Sequence, residues 1–264
     1  MSDENPNKPS WYETGYTGTK REEDRIAASQ GPRRLYMKAN ESHQIVFVDD
    51  EPFCVHEHNP KINGDFRNWF TCLRGMYPDD AVCCQELGEK TRYYVGYYTI
   101  VDCTKFEWKG NTYQYEVKLL PAKLKGLKML QLRKQDAGAM AGRMYRVTRL
   151  TDKSSNSGDD FSFLKEVDMA KLFAVANYKG KKLSELFAKA KDNPENMERL
   201  RRTFQLVANG SEIEPRLVPF NYLEIAKPRT PKDIAALLRG VKLEERSESG
   251  TGTEAGATEE EVPF

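Results

Sequence analysis

The sequence predicts a mainly β fold with added helices, on three observations. Segments rich in aromatic and branched residues recur between Arg33 and Val167, and several alternate apolar with polar positions, the mark of a half-buried strand. Turn chemistry separates them, as at Asp49-Asp50-Glu51-Pro52 and Gly110-Asn111. A stretch of helical composition, Leu119–Lys134, interrupts the strands, and further helical spacing begins only after residue 167.

Taken in order, residues 1–32 are polar and punctuated by Pro and Gly, which predicts a flexible N-terminal arm with a short helix around Glu22–Ala28. Arg33–Lys38, Ser42–Val48 and Phe53–His58 read as strands. Thr91–Asp102 is the clearest strand, with Tyr94 and Tyr98 on one face and Gly96 between them; a mid-strand glycine marks a bend or a close approach. Phe106–Leu120 reads as a hairpin about Gly110-Asn111, and Arg143–Leu150 as a strand with Arg143, Tyr145, Val147 and Arg149 on one face. A polar loop, 151–160, leads to a last strand at Phe161–Val167. Five or so strands with one helix before the last ones are the parts of an OB-fold, so 33–167 is expected to be an OB-fold barrel with an inserted loop. Helical spacing at Met169–Ala176, Leu183–Ala190, Pro194–Val207 and Pro231–Leu238 makes 168–239 a C-terminal helical extension packed on that core. Residues 240–264 are dominated by Ser, Gly, Thr, Ala and Glu, a composition that cannot bury enough surface to fold.

The net charge of +1 conceals a segregation. Residues 244–264 hold seven Glu and one Arg, a net of −6 that leaves +7 on the rest of the chain. A basic body with an acidic tail suits a polyanion binder whose tail competes for the same groove or recruits partners. No apolar run approaches the roughly 20 residues of a membrane span, and the first residues lack the pattern of a secretion signal, so a cytoplasmic protein is expected. Walker, Gly-x-Ser-x-Gly and His-Glu-x-x-His motifs do not occur, which speaks against an enzyme.

Aromatic rings interleaved with cations are what sequence-tolerant binding of single strands requires: bases stack on the rings while Lys and Arg hold phosphates. Around the inserted loop this pattern selects Arg67, Trp69, Phe70 and Arg74, with Arg34 and Lys38 before it. On the central strand and its hairpin partner it selects Arg92, Tyr94, Tyr98 and Lys118, followed by Lys123 and Lys125 of the basic helical stretch. Arg143, Tyr145 and Arg149 form a further candidate surface. For the rings, filling the core is the competing role.

Five cysteines, an odd number, suit burial or a metal better than disulfides. Cys54, His56 and His58 share one strand face, and Cys72, Cys83 and Cys84 follow. Cys83 and Cys84 are neighbours, so one of them is expected to ligate, which gives His58, Cys72 and Cys83 with Cys54 as fourth ligand, or His56 in its place. A structural zinc is one reading of this set, and a buried face without metal is the other.

The chain closes on Glu259-Glu260-Glu261-Val262-Pro263-Phe264. This tip resembles that of the bacterial single-stranded DNA-binding proteins, which end in acids followed by Pro-Phe, and phage counterparts end in acids plus Phe. Some phage single-strand binders also carry a His and three Cys in a loop of the barrel, with a Cys-x-x-Cys knuckle from which the adjacent Cys83-Cys84 departs. The resemblance implies a sequence-independent single-stranded DNA-binding protein that protects DNA in phage replication and recombination, its tip binding replication or recombination proteins. The alternatives are a zinc-stabilised adaptor module and, further off, an enzyme acting on nucleic acid.

Overall fold

The computed structural model describes residues 31–61, 68–78, 81–88, 91–108, 110–206, 208–209 and 212–239. The chain divides between Pro32 and Arg33 into two units, and the second carries the fold. The expected arm helix, Arg67 and the acidic tip lie outside the described residues.

The centre is strand β4 (Tyr93–Asp102). Along one edge it pairs antiparallel with β7 (Glu116–Lys123) over its length, from Val95↔Lys123 to Asp102↔Glu116. Its other edge is shared: β2 (Phe53–His58) pairs with the first half, and β1 (Glu41–Phe47) with the last residues. The break between β1 and β2 falls at the predicted turn, where the Asp50 carboxylate accepts from the Met140 and Ala141 amides. β8 (Arg143–Arg149) pairs with β1 and β9 (Asp160–Glu166) with β8, both antiparallel. Short strands β3 (Phe70–Thr71), β10 (Asn177–Tyr178) and β11 (Lys181–Lys182) extend the sheet, and β5 (Phe106–Trp108) and β6 (Asn111–Tyr113) form a separate hairpin.

The order along the main path is β11-β10-β7-β4-β1-β8-β9. No ladder joins β7 to β9 among the described residues, so the sheet of the expected barrel is not closed. The reason lies at the β7 edge, which is occupied by β10 at Asn177↔Glu116 and by the Arg33–Leu35 segment, bonded to Leu119 through both of its backbone groups. The class is corrected from mainly β to mixed α and β, since helices and strands take comparable shares of the described residues.

Leu119–Lys134 splits differently from expectation. Its first residues stay on β7, because Leu119, Leu120 and Ala122 are buried in register with β4, and helix α2 runs Leu124–Ala137, after the short α1 (Val82–Leu87). The predicted hairpin forms as β5–β6, but its second strand is interrupted at Tyr115, whose φ of 55° separates β6 from β7. Arg33–Lys38 makes one isolated bridge, Arg34↔Leu119, in place of a strand.

The C-terminal helices are α3 (Met169–Val175), α4 (Leu183–Lys191), α5 (Pro194–Thr203), α6 (Tyr222–Ile225) and α7 (Pro231–Leu238). Their starts follow from sequence: Asp168 and Asn193 side chains accept from first-turn amides, Thr230 and Asp233 make a capping box, and Pro194 and Pro231 occupy the first turn. Two cores result. Tyr98, Ile100, Leu120, Tyr145 and Phe161 pack on one side of the sheet under Leu127 and Leu130 of α2. Val95, Tyr97, Val101 and Leu119 pack on the other against Leu172, Phe187, Phe204 and Phe220 of the C-terminal part. A strand buried on both faces reads as a continuous apolar and aromatic run, which is why β4 stands out in the sequence.

Gly96 is the close approach anticipated. A Cβ there would lie 2.5 Å from Leu127 Cδ2 and 2.9 Å from Pro52 Cβ. Overpacking of this kind costs about 1–3 kcal/mol, so Gly96→Ala is expected to lower the denaturant midpoint. An unchanged midpoint would show that α2 yields freely at this contact.

Candidate metal centre

His58, Cys72, Cys83 and Cys84 are all buried, and one ligand atom from each lies within 4.8 Å of all the others. His58 is the last residue of β2, and Cys72 follows β3, which pairs with the end of β2 at His58↔Phe70. Cys83 and Cys84 lie in the first turn of α1. Phe70, Leu73 and Ala81, with Ile234 and Leu238 of α7, close the cluster off in a small core of their own.

The Sγ atoms of Cys72 and Cys84 are 3.5 Å apart, those of Cys83 and Cys72 are 4.0 Å apart, and Cys84 Sγ is 3.6 Å from His58 Nε2. Metal–sulfur bonds of about 2.3 Å and metal–nitrogen bonds of about 2.0 Å in a tetrahedron put donors roughly 3.5–3.8 Å apart. Two of the three separations fall at such an edge length and the third is about 0.2 Å longer, with all four donors within 4.8 Å of one another, so the cluster can hold a metal ion.

Two supporting contacts prepare the donors. Thr91 Oγ1 donates to Gly88 O at 2.8 Å, so its lone pair receives the His58 Nδ1 proton at 2.9 Å. This fixes the tautomer in which Nε2 carries a lone pair toward the sulfurs. Burial, with Arg92 nearby, holds the His58 imidazole down to about 4, so it is neutral and fit to ligate at neutral pH. The Leu73 amide donates to Cys83 Sγ at 3.4 Å, an orientation that favours a thiolate. Burial pushes the Cys84 thiol up to about 12 and the Cys83 thiol upward too; a coordinated cation inverts that logic by binding thiolates. Removing the orienting hydroxyl with Thr91→Val is expected to weaken metal affinity about 10- to 100-fold, read by competition with a chromogenic chelator. Undiminished affinity would mean that Thr91 does not orient the imidazole.

The expected ligand set is corrected at one position. Cys54 is exposed, its thiol near the Pro52 carbonyl at 3.9 Å, because it lies four residues, about 13 Å, along β2 from His58 on the same face. Cys84 supplies the fourth donor. His56 stays outside as well, half-buried with its ring 5.1 Å from that of Tyr94.

Compared with known proteins, the chain matches no family model, no curated protein and no solved structure.

The structure divides the residues expected to contact nucleic acid. Phe70, Tyr98 and Tyr145 are buried at 5%, 3% and 1% exposure, so their rings are core. Lys118 is buried and ion-paired with Asp102 at 2.7 Å, and Arg149 is buried with its guanidinium on the carbonyls of Met37, Thr151 and Asp152. These five are corrected to structural roles: Tyr98 and Lys118 lie on strands covered on both faces, where alternation assigns no side to solvent, and Phe70, Tyr145 and Arg149 are packed inward. Arg34 is engaged by Glu57 at 2.9 Å and lies 4.3 Å over the half-buried Trp69 ring, which occupies one stacking face of that ring. Arg143 is half-buried and paired with Glu166 at 3.2 Å.

Lys38, Arg74, Tyr94, Lys123 and Lys125 are exposed. Arg92 and Tyr94 lie at the end of β4 next to the metal cluster, and Lys123 and Lys125 lie where β7 passes into α2. Arg92 is half-buried just before β4, close enough to lower the pKa of both His56 and His58, and its Nε has no hydrogen-bond partner among the described residues. Tyr94 lies two residues further on, opposite His56. Lys123 sits opposite Val95 with its ammonium 5.2 Å from the Tyr93 ring, and Lys125 opens α2. Sequence reasoning missed Cys84 as a member of the cluster, Thr91 as the support of His58 and Phe163 as an exposed ring. Of these only Cys84 carried a sequence signal, its adjacency to Cys83.

Proposed function

We propose that the chain is a sequence-independent single-stranded DNA-binding protein of the phage type, with an OB-fold core whose inserted loop is stapled by one structural zinc ion. The observation that carries the reading is the end of β4, where the exposed Tyr94 and the half-buried Arg92, whose Nε has no partner among the described residues, stand next to a buried His and three Cys, with the exposed Lys123 and Lys125 where the adjoining β7 passes into α2. Stacking and phosphate attraction are the two interactions a single strand offers irrespective of sequence, and these residues supply both.

The order β7-β4-β1-β8-β9, with α2 between β7 and β8, supports an OB arrangement: five antiparallel strands in a partly open barrel with a helix between the third and fourth. One His and three Cys form a soft, closed set that favours zinc over the oxygen-seeking divalent ions. With four protein donors such an ion serves to hold the β2–β3–α1 loop in place. The acidic tip supplies the recruiting element.

The test is titration with oligo-dT. Tryptophan fluorescence is expected to be quenched, with an affinity that exceeds that for duplex and falls steeply with salt. Absence of quenching at low salt, or equal affinity for duplex, overturns the reading and leaves the adaptor alternative.

A further inference from the structure

A polar cleft of about 330 Å³ opens on the strand face at the far end of β4, lined by Ser42, Gln44, Thr104, Lys105, Gln114 and Arg146, among others. The register explains its composition. Gln44 of β1 lies opposite Arg146 of β8, which lies opposite Ser162 of β9, and Ser42 lies opposite Thr148, their hydroxyls 2.8 Å apart. Lys165 of β9 pairs with Met144 and so shares the face of Arg146. Here the C-terminal helices do not cover the sheet, and Ser42, Gln44, Arg146, Ser162 and Lys165 are exposed.

The cleft is cationic without being neutralised. Lys105, Arg146 and Lys165 have no ion-pair partner among the described residues, whereas most neighbouring charges are spoken for: Asp102 is buried between His43 and Lys118, and Arg143 is paired with Glu166. No acidic side chain lines the cleft. Asp160, which the ladder also brings to this face, accepts from the Ser162 hydroxyl. Cations ringed by hydroxyl and amide donors, with no carboxylate among them, select a phosphate-class anion.

We infer that this cleft is a second phosphate site, filled by a backbone phosphate of the bound single strand at the opposite end of β4 from Lys123, which pairs with Val95 and so shares the face of Gln44 and Arg146. The inference rests on the single-strand reading. The two ends of β4 are about 30 Å apart at roughly 3.3 Å per residue, within the 4–16 nucleotides that single-strand binders of this build occupy.

The test is the salt dependence of oligo-dT binding by the full chain. Each phosphate contact to a single strand contributes about −0.7 to the slope of log affinity against log salt. The double variant Lys105→Ala/Arg146→Ala is expected to make the slope shallower by about 1.4 and to weaken binding at low salt on the order of tenfold, while Arg146→Lys, which keeps the charge, holds the slope. The control Lys189→Ala/Lys191→Ala removes two exposed cations from α4 and is expected to leave the slope unchanged. An unaltered slope in the first double variant, or an equal change in the control, overturns the site while wild-type binding keeps the reading standing; loss of wild-type binding takes down both. In a second arm, inorganic phosphate alone is titrated while the Ser42, Thr104 and Gln114 amide resonances are followed. Shifts there, without any change of slope with oligo-dT in the double variant, would make the cleft a free-anion site and overturn its place on the strand path.

Discussion

The Cys84→Ala variant is expected to retain less than half an equivalent of metal where the wild type binds about one, and to melt at a lower temperature. Cys84 is the donor nearest to both partners, 3.5 Å from the Cys72 sulfur and 3.6 Å from the His58 nitrogen. A three-donor site can persist when water fills the fourth position, but this cluster is closed by Phe70, Leu73, Ile234 and Leu238, and an apolar wall offers water no further hydrogen bonds. An ion that binds only the folded arrangement adds to folding stability as the logarithm of free metal over the dissociation constant. Chelation of the wild type should therefore reproduce the lower melting temperature. Cys54→Ala is the control: Cys54 is exposed and outside the cluster, so its loss should change neither stoichiometry nor melting. The opposite pattern, metal kept without Cys84 and lost without Cys54, would sink the assignment.

Tyr94→Ala is expected to weaken oligo-dT binding by about 1–3 kcal/mol, the usual worth of one base stacked on an aromatic ring, or roughly 5- to 150-fold. Arg92→Ala should make the salt slope shallower by about 0.7. Tyr98→Ala provides the contrast. Its ring is 3% exposed and meets Phe47 edge-on at 5.2 Å, so truncation should cost about 3–5 kcal/mol of stability, as large aromatics in cores do. Fluorescence titration and denaturant unfolding of the two tyrosine variants separate the roles. Should Tyr94→Ala bind as wild type while Arg92→Ala keeps its slope, this end of β4 is not the contact surface.

These two tyrosines show how much the sequence discloses. Their shared strand face was legible from a spacing of four, and the structure places both on β4. Which of them meets solvent was not. Tyr98 falls where β4 is flanked along its length by β1, β2 and β7 and roofed by α2, while Tyr94 falls at the uncovered end, 38% exposed. The metal cluster divides in the same way. Cysteine and histidine content pointed to it, and three of the four residues that the structure brings together, His58, Cys72 and Cys83, were in the expected set. The fourth depended on a local matter: successive Cα atoms are only about 3.8 Å apart, so in the first turn of α1 two neighbouring thiols can turn into one pocket. Spacing arguments built on separated knuckles do not anticipate this.

By itself the sequence determined the local structure: the strands from their alternation, the helix starts from Asp168, Asn193, Pro194, Thr230 and Pro231, and the close approach at Gly96. Those are decided within a few residues by backbone sterics and by hydrogen bonds to nearby amides. Only the tertiary structure decided that the sheet stays open, that five expected DNA contacts are interior, and that Cys84 replaces Cys54. Each of these turns on what a second layer covers. β10 takes the edge that would close the barrel, the C-terminal helices bury the second face of β4, and α7 seals the cysteines from a position more than 140 residues along the chain. Burial is a sum over partners distant in sequence, and no periodicity within one segment records which partners will arrive.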